Sequence, residues 1–398
     1  MNSKEYSEAR TIIKPALENP ETANLPDTWK LAGDIEYDQF NNEVEVEMTS
    51  LVTKKTVDEK KMYSGLLASY APYIKADELA EQPDEKGKIK NKVRKDIAAK
   101  LKFAYPYFRN GGIINLNNKE SKTAADFFEI YWNIPSLEMF NNKSDKEFFA
   151  KQDTAIQEVK YYAAISAINA KETDRALAML KRITEEPFIE NNVYELREVY
   201  ELIADEYKKN NDSIAFTQAL QDGAKKFPKS TYFIPNLINE YIKANRLDDA
   251  LLYLDEAIKN DPANTCDFES VKASIYATRQ DYEKATEYYT AAITADSKCE
   301  RALEGLARNY MLQAQNLKSE ALQTNRRTQT ELDAKADDLY KKSIPLLESL
   351  RTLLNNRNAS VDEKKQVLVL LRNAYYNLNM PEYDVISTEL EGLSGGAE

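Results

Sequence analysis

Residues 231–262, TYFIPNLINEYIKANRLDDALLYLDEAIKNDP, repeat the plan of residues 197–228, REVYELIADEYKKNNDSIAFTQALQDGAKKFP, at a spacing of 34 without a gap. Tyr207 recurs as Tyr241 and Pro228 as Pro262. A fixed period of this size marks a chain assembled from stacked supersecondary units. In the later unit Ile234, Leu237 and Tyr241 recur at helical spacing, with Ile238 where a small residue is usual, and Ala250, Leu254 and Ala257 do so again before Pro262, so each unit is two helices. Small side chains let one helix approach the next at the short end of the usual range, and large ones fill the hollows between turns. One pair alone leaves an apolar face in water, and only a neighbouring pair can cover it.

The pattern extends both ways from this stretch. The preceding unit supplies Tyr200, Ile203, Ala204, Tyr207, Leu220, Gly223 and Pro228, with Phe216 where a small residue is usual. The following one carries Ala273, Tyr276, Ala285, Tyr289 and Ala292, with Ser297 in place of the proline. Leu303, Leu306, Ala307 and Tyr310 begin another. Fainter copies hold Ala163, Ala164, Ala167, Ala176 and Leu180, then Gly112, Ala124, Phe128, Tyr131 and Pro135, and earliest Trp29, Ala32 and Gly33. This arrangement resembles the tetratricopeptide repeat family over most of the chain. The resemblance implies an all-α fold, a right-handed α-solenoid of stacked antiparallel helix pairs with long helical-hairpin insertions. It divides the chain into a degenerate region over 1–156, a regular array over 157–310, and an extended hairpin with capping helices over 311–398. KADELAEQPDEKGK, residues 75–88, also looks like a run seen in cell-envelope tetratricopeptide proteins of Gram-negative bacteria.

Composition agrees with an all-helical reading. Only 10 Gly and 13 Pro occur among 398 residues, 30% of which are charged, leaving long stretches without a breaker. A net charge of -12 and a pI near 5.0 oppose attraction to nucleic acid or anionic lipid. Mean hydropathy is -0.63, and no uninterrupted apolar run approaches the length needed to span a bilayer, so membrane insertion is not expected. Histidine is absent, which removes Ser-His-Asp and Cys-His nucleophile systems and every His-ligated metal site. Cys266 and Cys299 are too few for a centre held by four cysteines. Carboxylate pairs such as Asp248 and Asp249, or Glu185 and Glu186, read as solvated helix faces rather than a general acid and base. No enzyme, metal or cofactor is therefore expected. Six tyrosines, Tyr200, Tyr207, Tyr241, Tyr276, Tyr289 and Tyr310, fall on inward repeat positions and are read as core.

Members of the resembled family line a groove with their first helices, and some grip peptide C-termini there with Lys and Asn. Carried over position by position, this gives Asn236, Asn239 and Lys243, then Ser270 and Ser274, then Arg301 and Arg308 as partner-binding residues. An Asn amide presents a donor and an acceptor together to an extended backbone. Glu201 and Asp205 stand at the facing positions of an earlier repeat, so the charged clamp is incomplete. The expected partner is a protein or extended peptide, and the expected role a scaffold in the periplasm or cell envelope, with the cytoplasm as the alternative compartment. A structural subunit of an envelope secretion or uptake assembly, or less readily a glycan-active α/α enzyme, are the rival roles.

Three local expectations complete the reading. Tyr6, Ala9, Ile12, Ile13, Ala16 and Leu17 form an apolar face whose partner is not evident, which together with the envelope-like run at residues 75–88 predicts an upstream helix and a secretory signal before Met1. Cys266 and Cys299 occupy nearly equivalent points one repeat apart, and repeats are displaced by roughly 10 Å, which predicts unpaired thiols. After Tyr310 the next repeat resumes only at Ser343, Leu347 and Leu350, with no Gly or Pro between Gly305 and Pro345. Two helices each about 12 residues longer than usual are predicted, turning near 325–328, capped by Thr328 with Glu331, and zipped by Leu317 and Leu322 against Leu332 and Leu339.

Overall fold

The computed structural model describes residues 3–83, 87, 89–152, 155–190 and 193–394. Among these are 18 α-helices and no strand: α1 Ser3–Glu18, α2 Pro26–Thr53, α3 Glu59–Ala80, α4 Arg94–Asn117, α5 Ser121–Asn133, α6 Lys143–Gln152, α7 Ile156–Asn169, α8 Thr173–Glu185, α9 Leu196–Lys209, α10 Ser213–Lys226, α11 Phe233–Lys243, α12 Leu247–Asn260, α13 Thr265–Thr278, α14 Tyr282–Ala295, α15 Glu300–Ala321, α16 Arg326–Asn356, α17 Val361–Asn377 and α18 Glu382–Ser394. They form two compact units, Met1–Phe216 and Thr217–Glu398. Of the envelope-like run, residues 75–80 end α3, while residues 84–86 and 88 lie outside the described residues.

The helix pairs owe their sharp reversals to one turn used seven times. Lys119, Lys171, Asn211, Asn245, Gln280, Asn358 and Asn379 all take left-handed backbone angles just after a helix ends. In each case the next N–H closes on a carbonyl five residues back, as Arg246 does to Tyr241 at 2.8 Å and Asp281 to Tyr276 at 3.0 Å. This satisfies carbonyls that the helix end would otherwise strand. The repeated tyrosine thus sits where its backbone anchors the turn while its ring packs between helices. Tyr241 and Tyr289 are buried, whereas Tyr200, Tyr207, Tyr276 and Tyr310 are half-buried and lie at the rim of the core.

In the first unit, consecutive helices pack on one another from α1 to α5 and from α7 to α9. Phe40, Leu66, Tyr73, Ile97, Tyr105 and Phe108 are all but inaccessible within it. The partner of the α1 apolar face is α2. Tyr6 is buried there and accepts a hydrogen bond from Asn42, and Arg10 pairs with Glu36 at 2.6 Å. Ile13 and Leu17 of that face are half-buried, and Ile12 points to water at 77% exposure.

In the second unit α11 to α18 also pack in succession, and first helices touch the next first helix, α13 on α15 and α15 on α17. Two of the local expectations are corrected here. Cys266 and Cys299 are disulfide-bonded with their Cα atoms 6.0 Å apart. Cys266 lies in the first turn of α13 and Cys299 is the residue that caps α15. At these helix starts the first helices converge more closely than the mean displacement of repeats, which describes helix middles.

The long hairpin exists, but its extension is uneven. α15 has 22 residues and α16 has 31, against 14 for α13 and α14. The chain reverses over 322–325, and Asn325 rather than Thr328 is the cap, accepting from the backbone of Arg327 and Thr328 at 3.2 Å. An Asn one residue before the helix outcompetes a Thr already inside its first turn. Leu322 is 81% exposed, and Ala314, Ala321 and Ala336 take the inward positions with Leu332 and Tyr340. Alanine allows the two long helices to lie close, and Leu317 and Leu339 pack partly buried against the same cluster, so of the four expected leucines only Leu322 stays out of the zip.

Candidate functional site

Four of the seven expected partner-binding residues meet at one cleft in the second unit. It holds about 310 Å³ between α13, α14 and α15, and is lined by Ser270, Val271, Ser274, Tyr289, Arg301, Glu304, Gly305 and Arg308. Gly305 makes it possible. A Cβ added there would come within 2.2 Å of the Tyr289 ring, so only glycine lets this tyrosine cross from α14 to lie against α15. The ring forms the floor, and its side chain is hydrogen-bonded to Ser274. Burial pushes the Tyr289 hydroxyl above its ordinary value, the Ser274 hydrogen bond opposes this, Glu304 adds to it and Arg301 subtracts. Tyr289 is therefore a neutral hydroxyl at physiological pH.

The walls are charged. Arg301 lies 3.6 Å from Asp267, and Arg308 pairs with Glu304 at 2.7 Å. Both guanidiniums are more than half exposed, at 60% and 51%, so each ion pair is weak and each fork keeps donor capacity toward water. The cleft can thus take a small polar or acidic side chain over an aromatic floor, with two cations at its edge and one carboxylate, Glu304, between them.

Ser270 is a correction. It stands at the base of this cleft but is 1% exposed, and its hydroxyl donates to the Cys266 carbonyl at 2.7 Å. It also lies 3.7 Å from the Cys299 sulfur. The disulfide draws α13 and α15 together over this position, so Ser270 packs and offers no donor to a ligand. The three α11 residues lie apart from the cleft lining. Asn236 donates to the Tyr232 carbonyl at 2.7 Å, Lys243 pairs with Glu240 at 2.7 Å, and Asn239 is exposed. Tyr289, Glu304 and Gly305 line the cleft without having been legible as site residues. The repeat pattern places Tyr289 wholly in the core, and the one available signal is a glycine inside an otherwise strong helix pattern.

Among the described residues no group of three or more Cys, Asp or Glu side chains is arranged to hold a metal ion, and no helix is long and apolar enough to cross a membrane.

No protein-family model matches the chain, and no curated protein matches it. Solved structures do. The C-terminal part of a TPR repeat-containing protein from Cytophaga hutchinsonii is similar at 13% identity over 73% of this chain and 96% of that one, with a TM-score of 0.40. A TPR repeats protein from Bacteroides fragilis is similar at 18% identity over 67% and 98%, with a TM-score of 0.33. YrrB, a TPR protein with an unusual peptide-binding site, is similar at 17% identity over 53% and 95%, with a TM-score of 0.32. The chain's own 34-residue spacing and its paired helices, joined by one recurrent turn, make it an all-α helical-repeat protein similar in plan to tetratricopeptide repeat proteins.

Proposed function

We propose that this protein is a non-enzymatic scaffold of the cell envelope that holds a protein partner by an extended segment laid along the first helices of its second unit. The observation that carries this reading is the cleft over Tyr289, where two half-exposed arginines and Ser274 converge on a preformed aromatic floor. An acidic or hydroxylated side chain of the partner enters the cleft, and Asn239 on α11 engages backbone further along. The Cys266–Cys299 bond supports an oxidising compartment, since such bonds persist in the envelope and are reduced in most cytosols.

Selection of peptides from a random display library on the immobilised oxidised protein tests this. Peptides enriched in Asp or Glu are expected, and Arg301→Glu with Arg308→Glu should weaken them at least tenfold while leaving thermal unfolding nearly unchanged, because both positions are exposed. Equal affinity for wild type and the double variant, at equal stability, would remove this cleft as the site.

A further inference from the structure

A second peptide-like contact lies in the first unit, remote from the cleft in sequence and independent of it. Helix α8 stops at Glu186 because Pro187 follows, which forces Glu186 into an extended backbone at φ -90°, ψ 158°. Residues 187–190, Pro-Phe-Ile-Glu, then run without helix or turn. They lie against α7. The Gln157 side-chain amide there takes both backbone groups of Ile189: its Nε2 donates to the Ile189 carbonyl, and its Oε1 accepts from the Ile189 N–H at 2.7 Å. One helical turn along, Tyr161 packs against Tyr194 with ring centroids 5.2 Å apart.

The strap is anchored at its start. The Glu186 carboxylate receives Lys160 at 2.5 Å, Arg182 at 2.7 Å and the Trp132 indole at 3.0 Å. Beyond that anchor Phe188 is half-buried, whereas the Ile189 side chain is 77% exposed. What holds Ile189 is its backbone, gripped by an amide in the two-point manner by which such a side chain reads any extended chain. That contact is indifferent to side-chain identity, so the backbone of another extended segment can make it, with an aromatic residue in the place of Phe188.

We propose that the α7 face carrying Gln157 and Tyr161 is a receptor for an extended peptide, occupied in cis by residues 187–190 of the same chain. A partner peptide gains this face only by displacing the strap. Tethering gives the cis segment a large effective concentration, so the site is closed at rest to weak competitors and opens to a peptide that adds contacts of its own.

Ile189→Pro removes the N–H that Gln157 accepts while keeping the loop length, and Gln157→Ala removes the receptor. The probe is a synthetic peptide of residues 185–190, EEPFIE, amidated at its C-terminus and carrying a fluorophore in place of the N-terminal acetyl, and its binding to every variant is followed by fluorescence anisotropy. Ile189→Pro should bind the added peptide at least tenfold more tightly than wild type, and Ile189→Pro with Gln157→Ala should lose that gain. In the otherwise unaltered chain, Gln157→Ala should speed amide exchange at Ile189 by tenfold or more, a measurement that needs no added peptide. No binding to Ile189→Pro at millimolar peptide, or binding that survives loss of Gln157, would overturn the proposal.

Discussion

At Gly305 there is room for one hydrogen and no more. Gly305→Ala gains helix propensity but drives a methyl into the Tyr289 ring, at 2.2 Å, and overpacking of that kind costs roughly 1–3 kcal/mol. Denaturant titration should show a net loss, and Tyr289→Phe should show almost none, because its hydroxyl serves the cleft and not the core. The turn residues allow the opposite experiment. Gln280 holds a left-handed angle at φ 61°, which costs a side-chain-bearing residue roughly 1–2 kcal/mol, so Gln280→Gly should raise stability by about 0.5 kcal/mol after the added unfolded-state entropy. Asn245→Gly, at φ 55°, should gain less, since Asn tolerates this region. Glu186 gives a pH signature. Burial raises its carboxyl, but hydrogen bonds from Lys160, Arg182 and Trp132 outweigh burial and leave it below the ordinary glutamate value. A depressed carboxylate stabilises the fold above its unfolded pKa, roughly 4.3, and that contribution is lost as pH falls through the lower folded value. Trp132 fluorescence should change in that acid window, and Glu186→Gln should remove the step.

Pairs of helices are where the sequence was most and least informative. Ala250, Leu254 and Ala257 of α12, and Ala285, Tyr289 and Ala292 of α14, are buried as their spacing predicts. The ends of helices were harder, because capping and convergence depend on neighbours distant in sequence. Ser270 looks like a groove residue at its helical position, yet α15 covers it, and the same closeness permits the Cys266–Cys299 bond. A disulfide spanning 33 residues constrains the unfolded chain by an amount on the order of 3–4 kcal/mol in the loop-entropy picture. Dithiothreitol should therefore lower the guanidinium midpoint of wild type clearly and that of Cys266→Ser with Cys299→Ser not at all. The α15–α16 hairpin is built on nearest-neighbour packing, so replacing residues 314–337 by a short turn should leave α11 to α14 helical and cooperative. Loss of their helicity in circular dichroism would show that the arm supports them.

For the molecule as a whole, the period of 34 and the scarcity of glycine and proline made the architecture legible before any coordinates, since repeat stacking follows from local pattern. The cleft was legible only in part. Exposed positions on first helices could be picked by register, and Ser274, Arg301 and Arg308 picked in this way line it. The aromatic floor between them depends on a ring crossing from a second helix, which no single-helix pattern reveals. Our central claim is that partners are held on the first-helix side of the second unit. Site-specific photo-cross-linking in cells tests it most directly, with the photoreactive residue placed at Ser274 on α13 or at Thr290 on α14, both exposed. A discrete protein adduct is expected from Ser274, absent from Thr290 and reduced by Arg308→Glu. An adduct from Thr290 with none from Ser274 would contradict the claim.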